Sequence, residues 1–158
     1  MKTITLILSI LVSFNSYSIS YSKQKVYIKG NVKKPVTYTI EDISKLPQVT
    51  IRINDPYSKN KLIKFQGVLL ADFFKLHANE GSSKVEVIAL NDYKVTIEKS
   101  YLTSERMLLA IKGDDKFLTV KDKGPARIVV PGKGTLKEGA LAKEGVDWVW
   151  FVRTINFL

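Results

Sequence analysis

Apolar residues recur at every second position in four separate stretches: Val26 and Ile28; Val49, Ile51 and Ile53; Val85, Val87 and Ala89; Tyr93, Val95 and Ile97. Successive side chains of a strand point to opposite faces, so this alternation predicts half-buried strands that each need another layer to cover one side. Denser apolar runs over Met107 to Ile111, Ile128 to Val130 and Trp148 to Ile155 predict central strands of the same core. Two helices interrupt them. Thr39 with Asp42 three residues on is a capping pattern, Ile40, Ile43 and Leu46 share one face, and Pro47 stops the helix. The second helix starts near Val68, carries Leu69, Leu70, Phe73, Phe74 and Leu76 at helical spacing, and ends at Gly81. The class is α+β, with a mixed-sheet or barrel-like core and a few short helices. No repeat or linker interrupts residues 23–158, which read as one domain.

The N-terminus runs Met1, Lys2, then apolar from Ile4 to Val12, then through small polar residues to Ser20. That is the three-part pattern of a cleaved signal peptide over residues 1–20, with the cut undetermined. Its apolar run is about half of the roughly 20 residues a spanning helix needs, so no permanent membrane anchor is expected. The chain has no cysteine, which excludes disulfides, thiolate metal ligands and a thiol nucleophile. The formal net charge is +10, and losing Lys2 with the signal leaves +9. The lysines are scattered singly, without a basic helix or aromatic ladder, so the charge reads as a solvated surface and nucleic acid is not an expected partner.

Several motifs bear on chemistry. Gly132-Lys133-Gly134-Thr135 lacks the spacing of a phosphate loop, because Arg127 and Gly134 stand where glycine and Ser/Thr are required. His77, the single histidine, falls on a last helical turn, where the helix dipole would favour an imidazolium; with no second imidazole or thiol to build a triad or metal site, it reads as structural. Asp114/Asp115 and Glu41/Asp42 read as turn and cap residues. Three polar elements remain: the turn Asn91-Asp92-Tyr93; the turn Asp122-Lys123-Gly124-Pro125, leading to Arg127; and Asp147-Trp148-Val149-Trp150-Phe151. In the last, period two puts Trp148 and Trp150 on one face of a strand, as core or as a stacking wall for a flat ligand. The longest aperiodic stretch, Pro131 to Gly145, is a candidate binding loop or cover.

Taken in order, these elements resemble the oxidoreductase molybdopterin-binding domain, the sulfite-oxidase-like fold, and especially its short exported branch. The resemblance runs through Ile28-Lys29-Gly30-Asn31-Val32, Phe65-Gln66-Gly67-Val68-Leu69-Leu70, Asn91-Asp92-Tyr93, Asp122-Lys123-Gly124-Pro125, Arg127 to Gly132 and the Trp-Val-Trp segment. Sulfite-oxidase enzymes ligate molybdenum through a cysteine sulfur, which this chain lacks, and carry a His-Gly-aromatic-Pro turn where it has Asp122 to Pro125. The resemblance therefore implies a chain that is not an enzyme, holds no molybdenum or other redox cofactor, and binds a pterin reversibly. It implies location in the periplasm and a partner in the sensor domain of an inner-membrane diguanylate cyclase/phosphodiesterase, with control of cyclic di-GMP and biofilm formation. A molybdopterin-dependent oxidoreductase and a ligand-free adaptor are the alternatives. The expected ligand residues are Trp148 and Trp150 for stacking, with Asn91, Asp92, Tyr93, Asp122, Lys123, Arg127 and Asp147 for polar contacts.

Overall fold

The computed structural model describes residues 21–134 and 136–158; the signal-peptide reading of residues 1–20 lies outside them. The elements run β1 (Lys25–Gly30), β2 (Val36–Thr39), α1 (Ile40–Ser44), β3 (Val49–Asp55), β4 (Lys61–Leu69), α2 (Leu70–His77), β5 (Lys84–Ala89) and β6 (Lys94–Glu98). They continue through α3 (Lys99–Ser104), β7 (Leu108–Gly113), β8 (Lys116–Phe117), β9 (Arg127–Val129), α4 (Leu141–Glu144) and β10 (Val152–Phe157). This is the expected α+β class, and the core is built from two open sheets. One has the order β2-β1-β10-β5-β6 and is mixed, since β1 and β10 pair in parallel with Tyr27 opposite Thr154. The other has the order β3-β4-β7-β8, and β9 pairs with β7 through Leu108 opposite Val129.

The alternating strands bury the face that their pattern marks, except that Tyr93 falls before β6, in the β5–β6 turn, and is exposed. Val26 and Ile28 of β1 and Val85, Val87 and Ala89 of β5 join Ile155 and Phe157 of β10 in one apolar cluster with Leu108 to Ile111 of β7 and Phe73 and Phe74 of α2. Each Val, Leu, Ile or Phe among them contributes roughly 1.5–3 kcal/mol relative to exposure. α1 carries the expected cap: Asp42 N–H donates to Thr39 Oγ1 at 3.0 Å, while Thr39 N–H donates to Asp42 Oδ2 at 3.0 Å.

Three local expectations change. Val68 and Leu69 stay in β4, opposite Leu109 and Leu108, so α2 starts at Leu70; a short apolar run suits either period, and the ladder decides it. Gly67 sits at a register shift in β4, where a Cβ would run into the Leu109 carbonyl. The same helix ends at His77 rather than near Gly81, because Ala78 bridges to Val32. His77 is buried, shares a hydrogen bond with the Tyr38 hydroxyl at 3.3 Å and stacks on Phe73. This is the structural role its position suggests, and burial, helped by Lys33, pushes its pKa below the usual value, against the pull of the helix dipole.

The third change bears on function. β10 begins only at Val152, and Trp148–Phe151 is not a strand. Its backbone is stitched to other segments instead: Ile128 N–H donates to the Val149 carbonyl at 2.8 Å, Phe151 N–H to Lys123 at 3.2 Å, and Leu90 N–H to Phe151 at 2.9 Å. Phe151 takes a left-handed φ of 53°. The two tryptophans are therefore placed by long-range hydrogen bonds, and period two does not describe them.

Candidate functional site

This irregular segment forms one wall of a cavity of about 470 Å³. Trp148, Trp150 and Phe151 line it together with Tyr57 from the turn after β3, and with Ala89, Asn91 and Tyr93 from the β5–β6 turn. Leu141 and Ala142 of α4, with Gly145 and Val146 after it, complete the lining. The Tyr57 and Trp150 rings meet edge to face at 4.8 Å, and Tyr57 and Trp148 lie 6.1 Å apart. Tyr57 Oη donates to the Gly145 carbonyl at 2.8 Å, and Tyr93 Oη donates to the Val146 carbonyl at 3.0 Å. Two tyrosine hydroxyls thus tie the α4 segment to the aromatic wall. A Cβ at Gly145 would run into the Tyr57 hydroxyl, so this position needs glycine. Burial raises the Tyr57 pKa, with a further push from Tyr93, which keeps its hydroxyl a donor.

A charged cluster backs this wall. Arg127, 1% exposed, donates from Nη1 to Asp55 Oδ2 at 2.9 Å and from Nη2 to Oδ1 at 3.2 Å. Its guanidinium lies 5.4 Å from the Trp148 ring and 5.2 Å from Phe65. Asp55 also accepts from Ser58 Oγ at 2.7 Å and from Tyr57 N–H at 3.0 Å. Burial alone would raise the Asp55 carboxyl, but the Arg127 bonds and charge, aided by Ser58 and Tyr57, hold it below the usual carboxylate value. Lys123 donates to Ser58 Oγ at 3.1 Å and lies 5.4 Å from the Trp150 ring, with its pKa lowered chiefly by burial. A second hollow of about 290 Å³ opens on this cluster, lined by Asp55, Ser58 and Arg127 and by Lys61, Lys116, Lys121, Asp114 and Asp122 among others.

Four of the nine expected ligand residues line the aromatic cavity: Asn91, Tyr93, Trp148 and Trp150. The other five lie elsewhere. Asp92, with φ 63°, pairs with Arg153 at 3.0 Å. Asp122 accepts from Thr119 Oγ1 at 2.6 Å and closes a capping box. Asp147 accepts from Tyr101 Oη at 3.2 Å and from Lys133 at 3.3 Å. Arg127 is bound to Asp55, and Lys123 touches Trp150 from outside the lining. Sequence reasoning missed Tyr57, which carries no signal beyond a Pro-Tyr turn, whereas Leu141 to Gly145 falls within the stretch marked as a candidate cover.

The model of the oxidoreductase molybdopterin-binding domain matches residues 14–138, and the chain belongs to that family. Among solved structures it is similar to the sulfane dehydrogenase SoxCD from Paracoccus pantotrophus, with a TM-score of 0.67 and 20% identity. That match covers 89% of this chain and 39% of the other, so the chain spans well under half of the dehydrogenase chain, and the likeness concerns the fold. No curated protein matches. The fold is thus the sulfite-oxidase-like, molybdopterin-binding one. The expectation that the chain is not an enzyme is overturned: its family is one of oxidoreductase domains.

The residues fit the family's cofactor unevenly. A planar ring suits the aromatic cavity, whose size lies in the range of small-molecule sites. The buried Nε1 donors of Trp148 and Trp150 have no acceptor among the described residues. The metal half fits poorly: the sequence supplies no thiolate, and among the described residues no group of three or more His, Cys, Asp or Glu side chains could hold a metal ion.

Proposed function

We propose that the aromatic cavity binds a pterin-class ring, and that the chain acts in the periplasm as a binding domain whose occupancy is read by the sensor domain of an inner-membrane diguanylate cyclase/phosphodiesterase. The observation that carries this reading is the cavity between Tyr57 and Trp150, covered by a segment that two tyrosine hydroxyls hold. A ring that stacks on Trp150 must settle against the same α4 segment, so the outer surface of that segment differs between empty and filled states and offers a partner something to read. Control of cyclic di-GMP and biofilm formation follows from the partner's activity.

The direct experiment is titration with a reduced pterin, following tryptophan emission and melting temperature. Saturable quenching with a rise in Tm is expected. No change in either at millimolar ligand removes the pterin reading. N-terminal sequencing of the mature protein tests export, and capture of the sensor domain with and without pterin tests the coupling.

Family membership favours a second reading, oxidoreductase activity on a molybdopterin cofactor. Metal analysis of protein purified from its natural source, with a dye-reduction assay using sulfite or sulfane sulfur as electron donor, tests it. Stoichiometric molybdenum with turnover establishes it; a metal-free, inactive preparation removes it.

A further inference from the structure

The composition of the cavity wall says more than that a flat ring fits. Among the described residues, all eleven that line it are uncharged. This stands out in a chain of net charge +10. The polar handles on the lining are the Asn91 amide, the Tyr57 and Tyr93 hydroxyls and the two indole N–H groups, all neutral.

Among the described residues, the two cations that lie against the tryptophan rings are already committed. Arg127 is held bidentate by Asp55, and Lys123 is half-buried between Ser58 and the Trp150 ring. The carboxylates that would grip an amino-pyrimidinone edge are spent on Arg153, Thr119, and Tyr101 with Lys133. A charged substituent seated against this wall would give up hydration without a counter-ion in the lining, and such transfers are unfavourable unless the charge is paired.

We infer that the cavity selects uncharged pterins, with neither carboxylate nor phosphate on the ring's side chain, and rejects the phosphate-bearing pyranopterin form. The inference rests on the pterin reading of the cavity and narrows it to one chemical class. Ala142 and Val146 are exposed at the rim of the cavity.

The test compares 6-methylpterin, 6-carboxypterin and neopterin 3′-phosphate by calorimetry on the full mature chain at one pH and two salt concentrations. The neutral probe is expected to bind at least about tenfold more tightly than either anion, with little salt dependence, since tenfold corresponds to about 1.4 kcal/mol. Equal or tighter binding of an anionic probe overturns the inference and leaves the pterin reading standing. Failure of all three probes to bind overturns the pterin reading itself. Ala142→Lys, an exposed helical position, places a cation at the rim and keeps the test informative about charge. It should narrow or reverse the preference by raising affinity for 6-carboxypterin, and an unchanged ratio in the folded variant counts against charge as the selector.

Discussion

Two hollows share one wall, and they differ in kind. Tyr57 faces the first and its neighbour Ser58 the second; Arg127 lies against the Trp148 ring of the first while lining the second. The first is aromatic and uncharged, and the second is lined by four cations and three carboxylates among its residues. In the second, most of the charge is internally satisfied: Asp55 with Arg127, Asp114 with Lys61, Asp122 with Thr119. The difference separates two jobs that a list of polar residues runs together. The charged side fixes the geometry of the wall, and the uncharged side is the one proposed above for the ligand.

The largest expected effect breaks the charged side. Arg127→Leu leaves Asp55 buried without its partner, and losing one member of a buried pair costs about 3–5 kcal/mol. Urea denaturation measures this, and Asp55→Leu combined with Arg127→Leu should recover much of the loss, since the unpaired charge is then gone. The sign with pH follows from the lowered Asp55 pKa. The contribution is fully present above the ordinary carboxylate value near 4 and is lost as pH falls through the folded value below it. If Arg127→Leu kept full stability and abolished pterin binding, the charged hollow would be the ligand site and the separation of roles would fail.

A smaller effect sharpens the uncharged side. Tyr57→Phe and Tyr93→Phe each remove one hydroxyl bond to the cover, worth about 0.5–1.5 kcal/mol. The rings stay, so the stacking surface is kept. Amide exchange across residues 141–146 should speed up in both variants, and more in the double variant than in either alone. Unchanged exchange there would show that the hydroxyls do not hold the cover.

The sequence exposed this division unevenly, and the reasons are local against non-local. The α1 cap was legible because Thr39 and Asp42 settle it between themselves. The strands were legible because burial of one face imposes period two. Trp148 and Trp150 were legible as candidates but not as geometry, since bonds to Lys123, Ile128 and Leu90 set their backbone. The roles of Asp92, Asp122 and Asp147 were not legible. A carboxylate in a turn looks the same whether it grips a ligand or an arginine sixty-one residues away, as Asp92 does. Tyr57 was invisible for the same reason, because its partners at Gly145 and Trp150 are remote in sequence.

The smallest effect falls on Lys123, which belongs to the wall itself. Its charge lies against the Trp150 ring, an arrangement worth about 0.5–1 kcal/mol at a partly exposed site, and burial works against that gain. Its lowered pKa means that the unfolded chain binds more protons in the window just below the ordinary lysine value. Wild-type stability therefore gains a small increment as pH rises through that window, and the contribution is complete above the unfolded value. Lys123→Met should remove this increment and change stability at neutral pH by less than about 1 kcal/mol. Its effect on affinity for 6-methylpterin decides where the boundary between the hollows runs. A change under about fivefold, the size of one such ring contact, keeps the cation with the structural side. A loss well beyond that would carry Lys123 across the wall and make the first hollow a site that uses charge after all.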